Sequence, residues 1–240
     1  MLNAITRKLS HLVDLSADDR ELLKASMGRV QHYPAHADII REGNDPSCLN
    51  IVLDGWACRY KQLEDGRRQV LALFVPGDMC DPCVFMLQEM SHALATLTPT
   101  TIARVSEAAV VNAMKTSKSL NKAFWLEMLI SAEVQREWTV NLGRRTATER
   151  MAHLCCEMMV RLRAVGMADG SSCEMPVTQA DLSDILGLSA VHVNRTLQEL
   201  RATGYMELRS RKLTIRNESA LRAIALFTPD YLHLHHRSPE

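Results

Sequence analysis

The sequence has no long apolar run. No stretch of about 18 or more apolar residues occurs among its 240 positions, so a membrane-spanning helix is not expected. The first residues, Met1 to Lys8, have no apolar segment of signal-peptide length behind their charges. We therefore expect a cytoplasmic protein with no membrane partner.

The sequence also lacks a net charge of either sign, because 28 basic residues balance 28 acidic ones. This excludes a uniformly basic protein that coats nucleic acid, so any such binding must depend on local charge and on contacts with base edges. The sequence also lacks the G-x-S-x-G, P-loop, H-E-x-x-H and Rossmann glycine motifs. We expect no enzyme and no catalytic residues.

The seven cysteines do not form the regular, even-numbered set of a secreted disulfide framework. Cys80 and Cys83 form a C-x-x-C pair, but a closed zinc or cluster site needs about four ligands. Structural thiols are therefore favoured and no metal site is predicted. A thiol pair that responds to redox state stays open as an alternative.

Turn signals divide the first half of the chain into short apolar and β-branched runs. Examples of these runs are Leu49 to Leu53, Val70 to Val75 and the alternating stretch Leu94 to Val105. Short strands at this spacing predict an all-β sandwich or barrel. A helix over Ala17 to Met27, with Ser16 as its N-cap, is predicted before them, and this first domain is expected to span 1–115.

A long helix is predicted over 116–142, because no proline or glycine interrupts the segment from Ser117 to Asn141. Apolar residues recur along it at helical spacing and form one stripe. We expect this stripe to meet the same helix of a second subunit, and the alternative is that it packs within its own chain. The predicted interface residues are Leu120, Phe124, Met128, Val134 and Trp138.

The third domain, 143–240, opens with Gly143 as a hinge and a helix from Arg144 to Val165 that ends at Gly166. Its informative segment is Val177 to Leu200, with Thr178 and Ser189 as N-caps and Gly187 at a tight turn between two helices. This is the layout of a helix-turn-helix. The predicted base-reading residues on the second helix are Val191, Asn194, Arg195 and Gln198.

Asn and Arg on that face suit bidentate bonds to adenine and guanine, respectively. The alternative is a polar surface that contacts nothing. Tyr205 to Ile215 alternates as two short strands around a basic turn, which predicts a hairpin wing along the phosphates. The predicted DNA-backbone contacts are Thr178, Gln179, Ser189, His192, Arg209, Arg211 and Lys212.

This order of parts resembles the CRP/FNR family of bacterial transcription regulators. The matching motifs are Phe74-Val75-Pro76-Gly77-Asp78, Glu149-Arg150-Met151-Ala152 and the helix-turn-helix. The resemblance implies an α+β fold with a cyclic-nucleotide-binding-like β-roll, a long dimerisation helix and a C-terminal winged helix-turn-helix. It also implies a homodimer that regulates transcription from a near-palindromic DNA site, with Arg195 on a guanine. RNA polymerase is a further candidate partner.

The effector is not identified by the resemblance. Cyclic-nucleotide binders of the family carry Gly-Glu-apolar and Arg-Ser where this chain has Asp81-Pro82-Cys83 and His92-Ala93, which argues against cyclic AMP. An unpaired carboxylate at Asp81 also disfavours an anionic ligand. The first cysteine is Cys48, which argues against an N-terminal iron–sulfur cluster. Cys80, Asp81, Cys83 and His92 form a possible sensor pocket, and the alternative function is a small-molecule or thiol-redox sensor.

Overall fold

Two short helices precede the sheets. The structure, a computed structural model, describes residues 3–82 and 84–234. Helix α1 (Asn3–Ser10) was not predicted, although it buries Ile5 and Leu9. Helix α2 (Ala17–Ser26) begins as predicted at Ser16, whose hydroxyl accepts a hydrogen bond from the backbone of Asp19 in a capping box.

Eight strands form two facing four-stranded sheets, with orders β1-β8-β3-β6 and β2-β7-β4-β5. We call this unit the β-roll. The predicted single stretch Leu94 to Val105 is two strands in different sheets, because a turn at 97–99 moves the chain across. The strands are β1 (Val30–Tyr33), β2 (Asp38–Ile40), β3 (Cys48–Asp54), β4 (Ala57–Gln62), β5 (Arg68–Phe74), β6 (Met79–Cys80), β7 (Ala93–Thr96) and β8 (Thr100–Ser106).

Three helices follow the β-roll: α3 (Glu107–Thr116), α4 (Lys118–Arg144) and α5 (Ala147–Ala164). Helix α4 has 27 residues and passes through Gly143, so the predicted hinge at this glycine is wrong. The break falls at Arg145 and Thr146. It falls there because Thr146 and Glu149 form a capping box that starts α5.

The C-terminal part combines helices with a small sheet of order β11-β12-β10-β9. A hairpin stands where the sequence predicted only a loop, over β9 (Ala168–Asp169) and β10 (Ser172–Glu174). A single 3-10 turn at Asp230–Leu232 brings the chain back to α4. The other elements are α6 (Gln179–Leu186), α7 (Ala190–Ala202), β11 (Met206–Arg209), β12 (Lys212–Ile215) and α8 (Glu218–Ala225).

The β-roll and the C-terminal part share one apolar core. Trp56 and Val70 of the β-roll pack in the same cluster as Leu182 and Ile185 of α6. The side-chain amide of Gln69 donates to the carbonyl of Ile185 across 3.2 Å, which docks α6 on β5. Among the described helices, none is both long enough and apolar enough to cross a bilayer.

Candidate nucleic-acid interface

Local capping sets the two helices of the predicted helix-turn-helix. The Thr178 hydroxyl accepts from the backbone N–H of Asp181, and the Asp181 carboxylate accepts in return from the backbone N–H of Thr178. Gly187 ends α6 in the left-handed conformation, with φ at 62°, which favours glycine. The Ser189 hydroxyl then accepts from the backbone N–H of His192 and starts α7.

A small apolar core holds α7 in place. Val193 and Leu200 are fully buried and Leu197 nearly so, as the sequence predicted, and they pack in one cluster with Leu182 and Ile185 of α6. Such a core fixes which side chains point away from the protein.

The outward face of α7 carries the four predicted base-reading residues. Val191 is 82% exposed, and Asn194, Arg195 and Gln198 are exposed beside it. A large apolar side chain this exposed, next to amide and guanidinium groups, suits a thymine methyl beside adenine or guanine edges. The four predicted base-reading side chains are therefore all accessible on one face of α7.

Glu199 was missed by the sequence reasoning. Its carboxylate lies 3.7 Å from Nε of Arg195 and accepts from the Thr148 hydroxyl at 3.1 Å. It thus links the Arg195 side chain to the start of α5. The i, i+4 spacing of an Arg and a Glu on one helix was the signal that could have found it.

The predicted backbone-contact residues of α6 and α7 lie in the first turns of these helices or cap them. Gln179 is exposed at the start of α6, and the exposed Thr178 and Ser189 use their hydroxyls as caps. His192 is half-buried. Each lies at a helix N-terminus, where backbone N–H groups favour a phosphate.

The predicted wing is an antiparallel hairpin of β11 and β12. Its two-residue turn, Ser210-Arg211, has both φ values positive, at 51° and 62°, as a type I′ turn requires. Arg209, Arg211 and Lys212 are all exposed around this turn. The structure therefore presents three cations at the tip of the wing.

In the β-roll, Asp81 has the partner that the sequence could not reveal. Its carboxylate pairs with Arg59 of β4 and accepts from Nε2 of His92 at 3.1 Å. Burial and the nearby charges of Arg59 and Lys61 lower the pKa of His92 to about 4, so its ring is neutral at pH 7. A carboxylate of the protein itself thus neutralises the Arg59 cation.

The thiols among the described residues are buried. Cys80 is 1% exposed, and burial raises its pKa well above the ordinary value. Burial likewise raises the pKa of Cys58 to about 11 and that of Cys156 to about 12. Cys83 lies outside the described residues. Groups of three or more metal-ligating side chains are absent from residues 3–82 and 84–234.

Three of the five residues of the predicted dimer interface are buried within their own chain, which corrects that part of the prediction. Leu120 is fully buried, and Phe124 and Trp138 are 3% and 5% exposed, all within their own chain. Met128 and Val134 are half-buried. Leu120, Phe124 and Trp138 therefore pack within their own subunit, which is the alternative that the sequence left open. Contact of Met128 and Val134 with a second subunit stays a prediction.

Comparisons with known proteins agree with this architecture. Residues 30–117 match the cyclic nucleotide-binding domain, and residues 149–224 match the Crp-like helix-turn-helix domain. A "probable transcriptional activator" of Rhizobium leguminosarum bv. viciae is 26% identical over 190 residues, covering 79% of this chain and 77% of the relative.

The nitrogen fixation regulation protein FixK of Azorhizobium caulinodans is 26% identical over 208 residues, covering 83% of this chain and 80% of the relative. The solved structure of FixK2 from Bradyrhizobium japonicum superposes with a TM-score of 0.73 at 24% identity, and the match covers 83% of this chain and 98% of that one.

Proposed function

Because this chain belongs to the CRP/FNR family of DNA-binding transcription regulators, we propose that it acts as a homodimer on a near-palindromic operator. The observation that carries the proposal is the outward face of α7. Val191, Asn194, Arg195 and Gln198 project from a helix whose opposite side is buried. Two such helices related by a two-fold axis would read two half-sites.

In the proposed complex α7 enters the major groove. Arg195 contacts a guanine, and Asn194 bonds an adenine. The N-cap residues of the two helices and the wing contact phosphates. These contacts position the protein on the DNA but do not read its sequence. The proposed phosphate contacts are Thr178, Gln179, Ser189, His192, Arg209, Arg211 and Lys212.

The proposed dimer contact is the exposed face of α4. Trp125, Leu129 and Val140 are 54%, 60% and 47% exposed, respectively. They lie four and then eleven residues apart, so they share one side of the helix. We call this set the outer stripe, and its burial against the same stripe of a second copy would remove large apolar side chains from water.

Regulation of transcription requires the DNA template and RNA polymerase, so we propose a cytoplasmic location and RNA polymerase as a partner. A relative named as a transcriptional activator supports the second point. The Arg59 cation of the β-roll is already paired with Asp81. We therefore do not expect an anionic effector to bind at that position.

Selection from a random duplex library tests the proposed function. We expect the purified protein to enrich a two-fold symmetric site whose half-site centres are about one DNA turn, roughly 34 Å, apart. The double variant Asn194→Ala/Arg195→Ala, which keeps the buried side of α7, serves as the control and should enrich nothing comparable. An asymmetric consensus, or the same consensus from the control, would overturn the proposal.

A further inference from the structure

The last two carbonyl groups of α6 are bound by side chains from two distant parts of the chain. The side-chain amide of Gln69, on β5, donates to the carbonyl oxygen of Ile185 across 3.2 Å. Nη1 of Arg150, on α5, donates to the carbonyl oxygen of Leu186 across 2.6 Å. The final carbonyls of a helix have no partner within it. Because Ile185 and Leu186 are both only 2% exposed, these two side chains satisfy acceptors in the interior of the protein.

The guanidinium of Arg150 also spans the break between α4 and α5. Its Nε and Nη2 donate to the carbonyl oxygen of Arg145 at 3.3 and 3.2 Å, and Arg145 is the C-cap of α4. One side chain therefore connects the end of the long helix to the end of α6. A guanidinium presents its donors in a rigid, planar arrangement. The separation between the two carbonyl oxygens that it binds, those of Arg145 and Leu186, is therefore closely constrained.

The turn between α6 and α7 is enclosed by three other elements. A methyl group added at Gly187 would lie 3.5 Å from Oε1 of Gln69 and 3.9 Å from Nη1 of Arg150. It would also lie 3.7 Å from Cδ2 of Leu142 in α4. The β-roll, the long helix and α5 thus all meet at this turn. Helix α7 begins at Ala190, three residues after Gly187, so the position of the turn determines where the reading helix starts.

We propose that Gln69 and Arg150 are positioning residues for DNA reading, which fix α7 relative to the long helix and so set the half-site spacing that the protein accepts. This inference rests on the proposed function, in which two copies pair through α4 and each α7 enters a major groove. An extra base pair between the half-sites moves one of them by about 3.4 Å and rotates it by about 35°. A rigidly held pair of α7 helices cannot follow such a change, whereas a loosely held pair can.

Operators of altered spacing test the proposal. The operator selected from the random library, and two derivatives with one base pair added to or removed from its centre, are titrated with the full chain at fixed salt. We expect the wild type to bind each derivative about tenfold or more weakly, because contacts with one half-site are lost. In Gln69→Met and Arg150→Met, which remove the donors but keep long side chains, this spacing penalty should fall to about threefold or less, because more orientations of α7 are populated.

Gln135→Met is the matched control. The amide of Gln135 donates to the carbonyl oxygen of Leu71 across 2.6 Å, which is the same type of bond to the same strand as Gln69 makes from it, but it joins α4 to β5 rather than β5 to α6. This variant should keep the full spacing penalty. The ratio of affinities is the informative quantity, because a variant with a smaller folded fraction loses the same factor on all three operators. Gln69→Met, a change in the β-roll, keeps the test decisive if Arg150→Met does not fold.

The outcomes separate this inference from the proposed function. A spacing penalty in the wild type that Gln69→Met and Arg150→Met keep in full would overturn the inference and leave the proposed function intact. Loss of the penalty in Gln135→Met as well would also overturn it, because the effect would then not depend on the end of α6. A wild type that binds all three operators equally would contradict the proposed two-fold reading itself, and the inference with it.

Discussion

Arg161 of α5 donates to the carboxylate of Asp78 in the β-roll across 2.6 Å, over 83 positions of sequence. Burial opposes ionisation of Asp78, but the charges of Lys8 and Arg161 outweigh it and hold the pKa of this carboxyl below its ordinary value. The ion pair therefore fixes α5, which leads into the helix-turn-helix, against the β-roll.

Replacement of Arg161 by Met should lower the free energy of unfolding substantially. The change leaves Asp78 and Glu157 buried with fewer partners, and loss of one member of a buried pair costs about 3–5 kcal/mol. Urea unfolding measures the loss. Arg163→Met is the matched control, because its pair with Glu218 is 44% and 35% exposed and should contribute less than about 1 kcal/mol. Equal losses in the two variants would contradict this role of Arg161.

Leu129→Glu should convert the dimer to monomers. The change places a charge in the middle of the outer stripe, where the proposed contact would bury it without a partner. Sedimentation velocity at micromolar concentration measures the outcome. Leu63→Glu, at a residue of similar exposure in the turn between β4 and β5, should leave the dimer intact. A dimer that survives Leu129→Glu would place the subunit contact elsewhere.

His92 should not titrate near pH 6.5. Burial, followed by the charges of Arg59 and Lys61, lowers its pKa from 6.5 to about 4. Because the pKa is lower in the folded than in the unfolded chain, the unfolded chain takes up the proton first as the pH falls. The stability contributed by the neutral ring is therefore complete above pH 6.5 and is lost as the pH falls towards about 4. NMR titration of the ring protons gives the midpoint directly. A His92→Gln variant should lose less stability over this interval, and a midpoint near 6.5 would refute the assignment.

Five of the described thiols should be unreactive in the folded protein. Burial raises the pKa of Cys58, Cys80, Cys155, Cys156 and Cys173, so little thiolate is available. Maleimide labelling with peptide mapping should modify these five only after unfolding. Rapid native labelling of Cys80, accompanied by altered DNA binding, would instead favour the thiol-redox sensor.

Much of the C-terminal site could be predicted because its signals are local. The Thr178 cap, the Gly187 turn and the buried side of α7 follow from neighbours within a few residues. Those signals also determine which face of α7 is exposed. Sequence reasoning therefore found the outward residues without knowledge of the rest of the chain.

The long helix shows where such reasoning fails. Its periodicity predicted a helix, but α4 has apolar residues on two sides, and the pattern could not tell which side faces its own chain. Trp138 proved to be internal, whereas Leu129 is 60% exposed. The pairing of Asp81 with Arg59 was equally hidden, because Arg59 lies on β4 and Asp81 follows β6, 22 positions further along the chain.

Base discrimination by Arg195 tests the central claim most directly. Binding of the wild type and of Arg195→Ala is measured on the selected operator and on every single-base change of one half-site, at fixed salt. We predict that the variant loses about 1–3 kcal/mol of discrimination at one guanine only. Arg201→Ala, in the last turn of the same helix, should keep the full profile. A variant with unchanged preference at every position would contradict the account.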